Sequence, residues 1–188
     1  MRISQGKSSS LEYENNSRSN RVVSVYSDPC VNTFFLNAAM VNTGEMMTEH
    51  ITNKPGGNYV PVIIHDGLAY VSGQLPRKGE TLLYSGKVGM DIDLPAAQQA
   101  AAFCADLCIA AVSEAAGGEE NIIQVLKVVG YIASAPGFTQ QSQVMNGASD
   151  QLVARLGARG THTRTSVGVA ELPRGAPVEL EMIVAVRK

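Results

Sequence analysis

Residues Ile122–Ala133, IIQVLKVVGYIA, form a β-rich run that is apolar on both sides. Read as a strand, Ile123, Val125, Val129 and Tyr131 face one way, and Ile122, Leu126, Val128 and Ile132 face the other. A strand of this kind has to be covered on both faces. That single requirement limits what the rest of the chain can build.

The cover comes first from helices. Asp93 opens one, with Leu94 and Pro95 in the first turn, where proline costs no hydrogen bond. Ala97, Ala101, Cys104, Leu107 or Cys108, Ala111 and Ala115 then recur at helical spacing until Gly117-Gly118 stops them. Small residues on this stripe suit close packing on a sheet. After Pro136-Gly137 a second helix carries Val144, Ala148, Leu152 and Leu156 at i+4 spacing, with Gly157 as its stop.

The remaining strands flank these elements. VPVIIH and LAYVSG surround Asp66-Gly67, a strong hairpin signal. The polar stretch PRKGETLLYSGKVG has room for one small strand. The chain ends with RTSVGVAEL and VELEMIVAV, joined by PRGAP. The order ββ(β)αβαββ predicts an α+β fold, a mixed sheet with two helices packed on one face. Two helices cannot hide both faces, so an oligomer is expected to bury the second.

Composition sets the outer bounds. With 188 residues the chain is expected to hold one domain plus a tail, and 45% hydrophobic against 17% charged residues fits a packed core. A net charge of -2 offers no basic surface for nucleic acid, and with no Trp and 5% aromatics, base-stacking platforms have little to build on. No apolar run approaches the ~20 residues of a membrane span. Three cysteines without secreted spacing point to a reducing compartment, and the expected location is cytoplasmic.

Residues 1–50 are expected to form a disordered or poorly ordered tail, and 51–188 the single domain. The first 21 residues are rich in Ser, Asn and charge, with no sustained apolar period. VNTFFLNAAM is interrupted by Asn32 and Asn37 and sits later than a signal-peptide core does. Met40, Met46 and Met47 offer alternative starts nearer the ordered part.

NYVPVIIHDGLAYVSGQLP and HTRTSVGVAELPRGAPVELEMIVAV resemble the reactive-intermediate deaminase superfamily, also called YjgF-like or L-PSP endoribonuclease-like. SAPGFTQQSQVMNGASD resembles its YjgF-type endoribonuclease-like branch. The resemblance spans roughly residues 55–187 with all motifs in order; SGQLP and R-x-x-V-x-V-A-x-LP-(x)4-VE-x-E are specific in combination. It implies a chorismate-mutase-like fold and a homotrimer whose three sheets form an inner barrel, with clefts between subunits. It also implies hydrolysis of reactive enamines and imines, such as 2-aminoacrylate, to 2-oxo acids and ammonia without metal or cofactor.

Carried onto this chain, Arg164 matches the family's substrate-binding arginine, a planar fork suited to a carboxylate. Without the motif it reads as a strand-end arginine in a salt bridge. Glu179 matches the glutamate near the start of the last strand and could orient the attacking water. It reads equally well as an outward residue on a strand whose other face is Val178, Leu180 and Met182. Tyr59 matches the cleft tyrosine, and Ser72 and Gly73 the SGQ motif, which reads otherwise as a strand end. Gly73 permits close backbone approach. Ser166 falls where many members have Cys or another small residue, so no thiol chemistry is available there.

Other candidates read as structural. Asn146 and the NGASD run fit a packing or interface role, and Gln98 and Gln99 the helix surface. Cys104 and Cys108 at i, i+4 lack two further ligands for a metal and read as buried small hydrophobes. His162 is close enough to Arg164 to help the cleft, or is a loop residue before the strand; His50, His65 and Cys30 are scattered. If PRGAP closes a tight hairpin, Arg164 and Glu179 are about seven positions apart, roughly 20–24 Å, and a site using both must span two subunits.

Three functions compete at this point. An imine or enamine deaminase would use Arg164 to anchor an imino acid. A non-catalytic sensor would use the same cleft for a small carboxylate, since binding needs the same arginine. An endoribonuclease has least support, for want of a basic groove or a catalytic His pair.

Overall fold

The computed structural model describes residues 53–188. The tail expectation, His50 and Cys30 lie outside the described residues.

The strands are β1 (Val62–His65), β2 (Leu68–Gln74), β3 (Arg77–Lys78), β4 (Thr81–Leu82), β5 (Ile122–Ala133), β6 (Thr163–Val169) and β7 (Val178–Val186). The helices are α1 (Leu94–Ala116) and α2 (Gln141–Leu156). Local chemistry explains most boundaries. Asp66 (φ 50°) and Gly67 (φ 80°) turn the β1–β2 hairpin through positive φ at both central positions. Asp93 caps α1 by accepting from the Ala96 amide at 2.9 Å, and Gly117 (φ 80°) closes it. The polar stretch after β2 holds two strands of two residues, β3 and β4, where one was expected.

The main sheet runs β1-β2-β7-β5-β6. All neighbours are antiparallel except β5 and β6, which are parallel. A parallel pair needs a crossover, and α2 is that crossover. The expected proximity of β6 to β7 through PRGAP is therefore wrong. A short 3-10 turn at Pro173–Gly175 carries the chain past β5, which lies between them.

Both helices pack on one face. The core between them and the sheet includes Leu107, Ile109, Met145, Leu152, Leu180 and Met182, all fully buried or nearly so. Ala97, Ala101, Cys104, Cys108 and Ala111 of the α1 stripe are buried; Ala115 is exposed. The Cys104 and Cys108 thiols point at the Val178 and Leu180 carbonyls, 3.9 and 3.5 Å away, and burial pushes both well above the usual thiol range. α1 is apolar enough and long enough to span a membrane, but this is the composition of a helix buried against a sheet.

β5 departs from simple alternation. Register shifts between Ile122 and Gln124 and between Val125 and Lys127 move Val125 to the helix side and leave Leu126 exposed. Ile122, Val128 and Ile132 are buried under the helices as expected. On the face away from the helices, Ile63, Tyr70 and Val167 are exposed, and Ile123 and Leu126 protrude at the two bulges.

Candidate functional site

Arg164 is positioned by the crossover. Its partner on β5 is Val128, which pairs in turn with Met182 on β7, and both are buried under the helices. Arg164 therefore points toward α2. Its Nη1 donates to Ser149 Oγ at 2.8 Å, and its Nη2 to Ser142 Oγ (3.0 Å), the Ser142 carbonyl (3.1 Å) and Asn146 Oδ1 (3.1 Å). All four acceptors are neutral oxygens. They orient the guanidinium, and among the described residues no carboxylate pairs with it, so no strand-end salt bridge forms there. Ser166 lies two residues on, on the same face, opposite Gly130.

Asn146 and Ser149 come from the NGASD run. Gly147 between them explains the packing expected of that run: a Cβ there would overlap the Gln98 carbonyl of α1, so only glycine lets α2 sit this close. Asn146 itself holds Arg164.

Glu179 stands elsewhere. It pairs with Tyr131 of β5 and faces away from the helices, partly buried. Burial raises its carboxyl above the usual carboxylate range, and the neighbouring Glu181 adds to the effect. Glu181 accepts from the Tyr131 hydroxyl at 3.2 Å. A register shift in β2 between Val71 and Gln74 brings Gly73 against the Glu179 carboxylate, where a Cβ would overlap it. A cavity of about 240 Å³ beside this contact is lined by Tyr59, Gly73, Arg77, Arg174 and Glu179. Ser72 opens onto an adjoining hollow of about 560 Å³ with Tyr59 and Tyr70; its hydroxyl donates to the Val60 carbonyl at 2.8 Å.

The structure thus brings Tyr59, Ser72, Gly73 and Glu179 into one region and Arg164 and Ser166 into another. Arg164 is level with Met182, so Glu179 is three residues along β7 and two strands across. That is about 14 Å between backbones at ~3.4 Å per residue and ~4.8 Å per strand, shorter than the hairpin estimate. The two side chains still point to opposite faces and cannot meet on one small molecule within a chain.

Two arginines were not singled out from sequence. Arg77 is nearly buried and donates to the Gly79 and Lys54 carbonyls. Arg174, at φ 60°, pairs with Glu80 at 2.7 Å and holds that carboxyl below its usual range. Its position before Gly175 in a turn was the only local signal.

The family model described as Endoribonuclease L-PSP matches residues 50–186. The chain belongs to this family. Protein TCP17 of Trypanosoma cruzi is 37% identical over 131 residues, covering 69% of this chain and 82% of its own length. A crystal structure of an Agrobacterium tumefaciens protein of unknown function is 43% identical, with a TM-score of 0.68, covering 71% of this chain and 86% of that one. The Escherichia coli YjgF gene product, 23% identical with a TM-score of 0.53, covers 77% of this chain and all of its own, and shows the shared fold. Within the L-PSP family, the α+β architecture with two helices on one face is that of the YjgF-like, chorismate-mutase-like fold.

Proposed function

We propose that this L-PSP family member is a cytoplasmic enzyme that hydrolyses small reactive imino acids, such as 2-aminoacrylate in its imine form, to 2-oxo acids and ammonia. The observation that carries the reading is Arg164. A guanidinium oriented by four neutral oxygens keeps its full charge for a carboxylate, which can take the remaining Nε and Nη1 hydrogens or displace one of these acceptors.

The substrate carboxylate binds Arg164, with Ser166 beside it. The imine carbon then stands where water can add: a C–O bond forms, the C=N π pair moves to nitrogen, and the carbinolamine collapses to the 2-oxo acid as ammonia leaves. Imines are electrophilic enough that orientation supplies much of the acceleration. Tyr59, Ser72, Gly73 and Glu179 complete the site from a second subunit, because Glu179 and Arg164 face opposite ways in one chain. The assembly proposed is a homotrimer whose inner barrel is the sheet face bearing Ile63, Tyr70 and Val167.

The test is ammonia and 2-oxo acid release from enzymatically generated 2-aminoacrylate and 2-iminobutyrate, comparing the parent with Arg164→Ala. Acceleration over spontaneous hydrolysis, lost in the variant, supports the proposal. A well-folded oligomer that binds 2-oxobutyrate through Arg164 without accelerating hydrolysis would replace it with a non-catalytic carboxylate-binding protein.

A further inference from the structure

We infer that Arg164, Ser149 and His162 form one coupled unit in which Ser149 passes a proton between a water at the carboxylate-binding arginine and His162. The chemistry of this inference rests on the imine-hydrolysing reading above; the coupling itself rests on the hydrogen-bond geometry.

His162 lies immediately before β6. Its Nδ1 is 2.6 Å from the Gly160 carbonyl oxygen, which can only accept, so Nδ1 carries a hydrogen. Its Nε2 is 2.9 Å from Ser149 Oγ. In a neutral ring with the proton on Nδ1, Nε2 is the acceptor, and the Ser149 hydroxyl donates to it. Ser149 Oγ at the same time accepts from Arg164 Nη1 at 2.8 Å. A hydroxyl has one proton and two lone pairs. The proton is directed at His162, one lone pair is taken by Arg164, and one lone pair remains for a water.

With the proton on Nδ1, the Nε2 lone pair is aimed at the Ser149 hydroxyl. A base oriented by a third group and hydrogen-bonded to a hydroxyl is the usual geometry of proton transfer in active sites. Here the orienting group is the Gly160 carbonyl. Glu179 cannot serve in the same chain, being on the opposite sheet face; His162 is already beside Arg164.

The proton account closes. Water adds to the imine carbon as its proton goes to Ser149 Oγ and the serine proton goes to His162 Nε2. The path reverses to protonate the nitrogen, giving the carbinolamine. It runs a second time to carry the hydroxyl proton of the carbinolamine to the nitrogen, the C–N bond breaks, and ammonia and the 2-oxo acid leave. Imine plus water becomes 2-oxo acid plus ammonia, and the relay ends as it began. Ser149 touches the reacting water; His162 acts through it.

His162→Gln separates a relay from a brace. The glutamine amide oxygen can accept from Ser149 but does not take up a proton. The relay predicts that this variant binds 2-oxobutyrate within about twofold of the parent while kcat for 2-iminobutyrate falls by about 100-fold or more. Ser149→Ala should lower kcat similarly and weaken binding by less than about tenfold, since Ser142 and Asn146 still hold Arg164. A His162→Gln variant that turns over like the parent overturns the relay.

A second readout does not depend on turnover. In nitrogen-15 NMR of the parent, the His162 Nε2 signal should be that of an unprotonated acceptor and should shift when 2-oxobutyrate binds; Ser149→Ala should abolish the shift. A signal that does not respond to the carboxylate overturns the coupling. If the parent accelerates no imine hydrolysis, the deaminase reading falls and the proton transfer with it. The NMR result then still decides whether Arg164 and His162 are linked.

Discussion

Arg164 and Glu179 occupy the same sheet and face opposite sides of it, Arg164 toward α2 and Glu179 toward the helix-free face. If one substrate needs both, it needs two chains. Arg164→Ala and Glu179→Gln should each be inactive alone, yet regain activity when unfolded together and reassembled. Random assortment completes roughly a quarter of the clefts, because each cleft takes one residue from each side. Imine-hydrolysis rates of the mixture against the double variant mixed with parent check this. No recovery beyond the separate variants would mean that the two residues do not share a cleft.

Gly73 tests how closely the site is packed. A methyl group there meets the end of the Glu179 side chain, which can swing away, and not the backbone. Gly73→Ala should therefore change the melting temperature little, while kcat/KM falls by about tenfold or more through a displaced carboxylate. Equal losses of stability and activity would point to a structural role for the glycine.

The raised pKa of Glu179 has a definite sign in stability. Its causes are burial first and then Glu181. The folded state holds this proton at pH values where the unfolded chain has lost it. Stability therefore falls as pH rises from the ordinary carboxylate range through the raised value, and stays lower above it. Glu179→Gln should raise the melting temperature at pH 7, and the gain should vanish at pH values below the ordinary carboxylate range. A variant less stable than the parent at pH 7 would show that the carboxylate makes favourable contacts outweighing its burial.

How far the sequence could be read follows from the range of the forces involved. The Asp66-Gly67 hairpin, the Asp93 cap and the α2 stripe of Val144, Ala148, Leu152 and Leu156 are local, and all were legible. The place of β5 between β6 and β7 was not, because strand order depends on pairing between distant residues, and adjacency in the chain suggested a hairpin. The bulges that turn Val125 inward and Leu126 outward left no local mark. The grip of α2 on Arg164 was hidden for the same reason as strand order. Ser142, Asn146 and Ser149 meet Arg164 only because the parallel crossover lays α2 over β6. His162 and Asn146 were visible as residues of interest, but not as neighbours of one guanidinium.

Gly147 connects helix packing to that grip. A Cβ at this position overlaps the Gln98 backbone, which cannot rotate aside as a side chain can. Gly147→Ala should push α2 from α1 and cost about 1–3 kcal/mol. The same shift moves Asn146 and Ser149, so 2-oxobutyrate affinity should fall as well. Chemical denaturation and calorimetric titration of one preparation check both. Reduced stability with unchanged affinity would mean that the Arg164 contacts adapt independently of the helix interface.

The helix-free face offers the last test. Ile63 and Tyr70, on β1 and β2, and Val167, on β6, are large, apolar and exposed there, at opposite edges of a face whose middle carries Glu179 and Glu181. Exposed large apolar residues are what an interface buries, and in the proposed homotrimer identical copies would cover them in a closed symmetric arrangement. A carboxylate placed within it must be desolvated on assembly, at a cost of several kcal/mol per ion. Val167→Asp should therefore convert an oligomer into monomers in sedimentation at micromolar concentration, with little change in helix content by circular dichroism. It should also abolish imine hydrolysis while Arg164 and its α2 contacts remain intact, since the helix face is untouched. A Val167→Asp protein that sediments as the parent does would exclude this face from the interface, and a monomer that still hydrolyses imines would place the whole site within one chain.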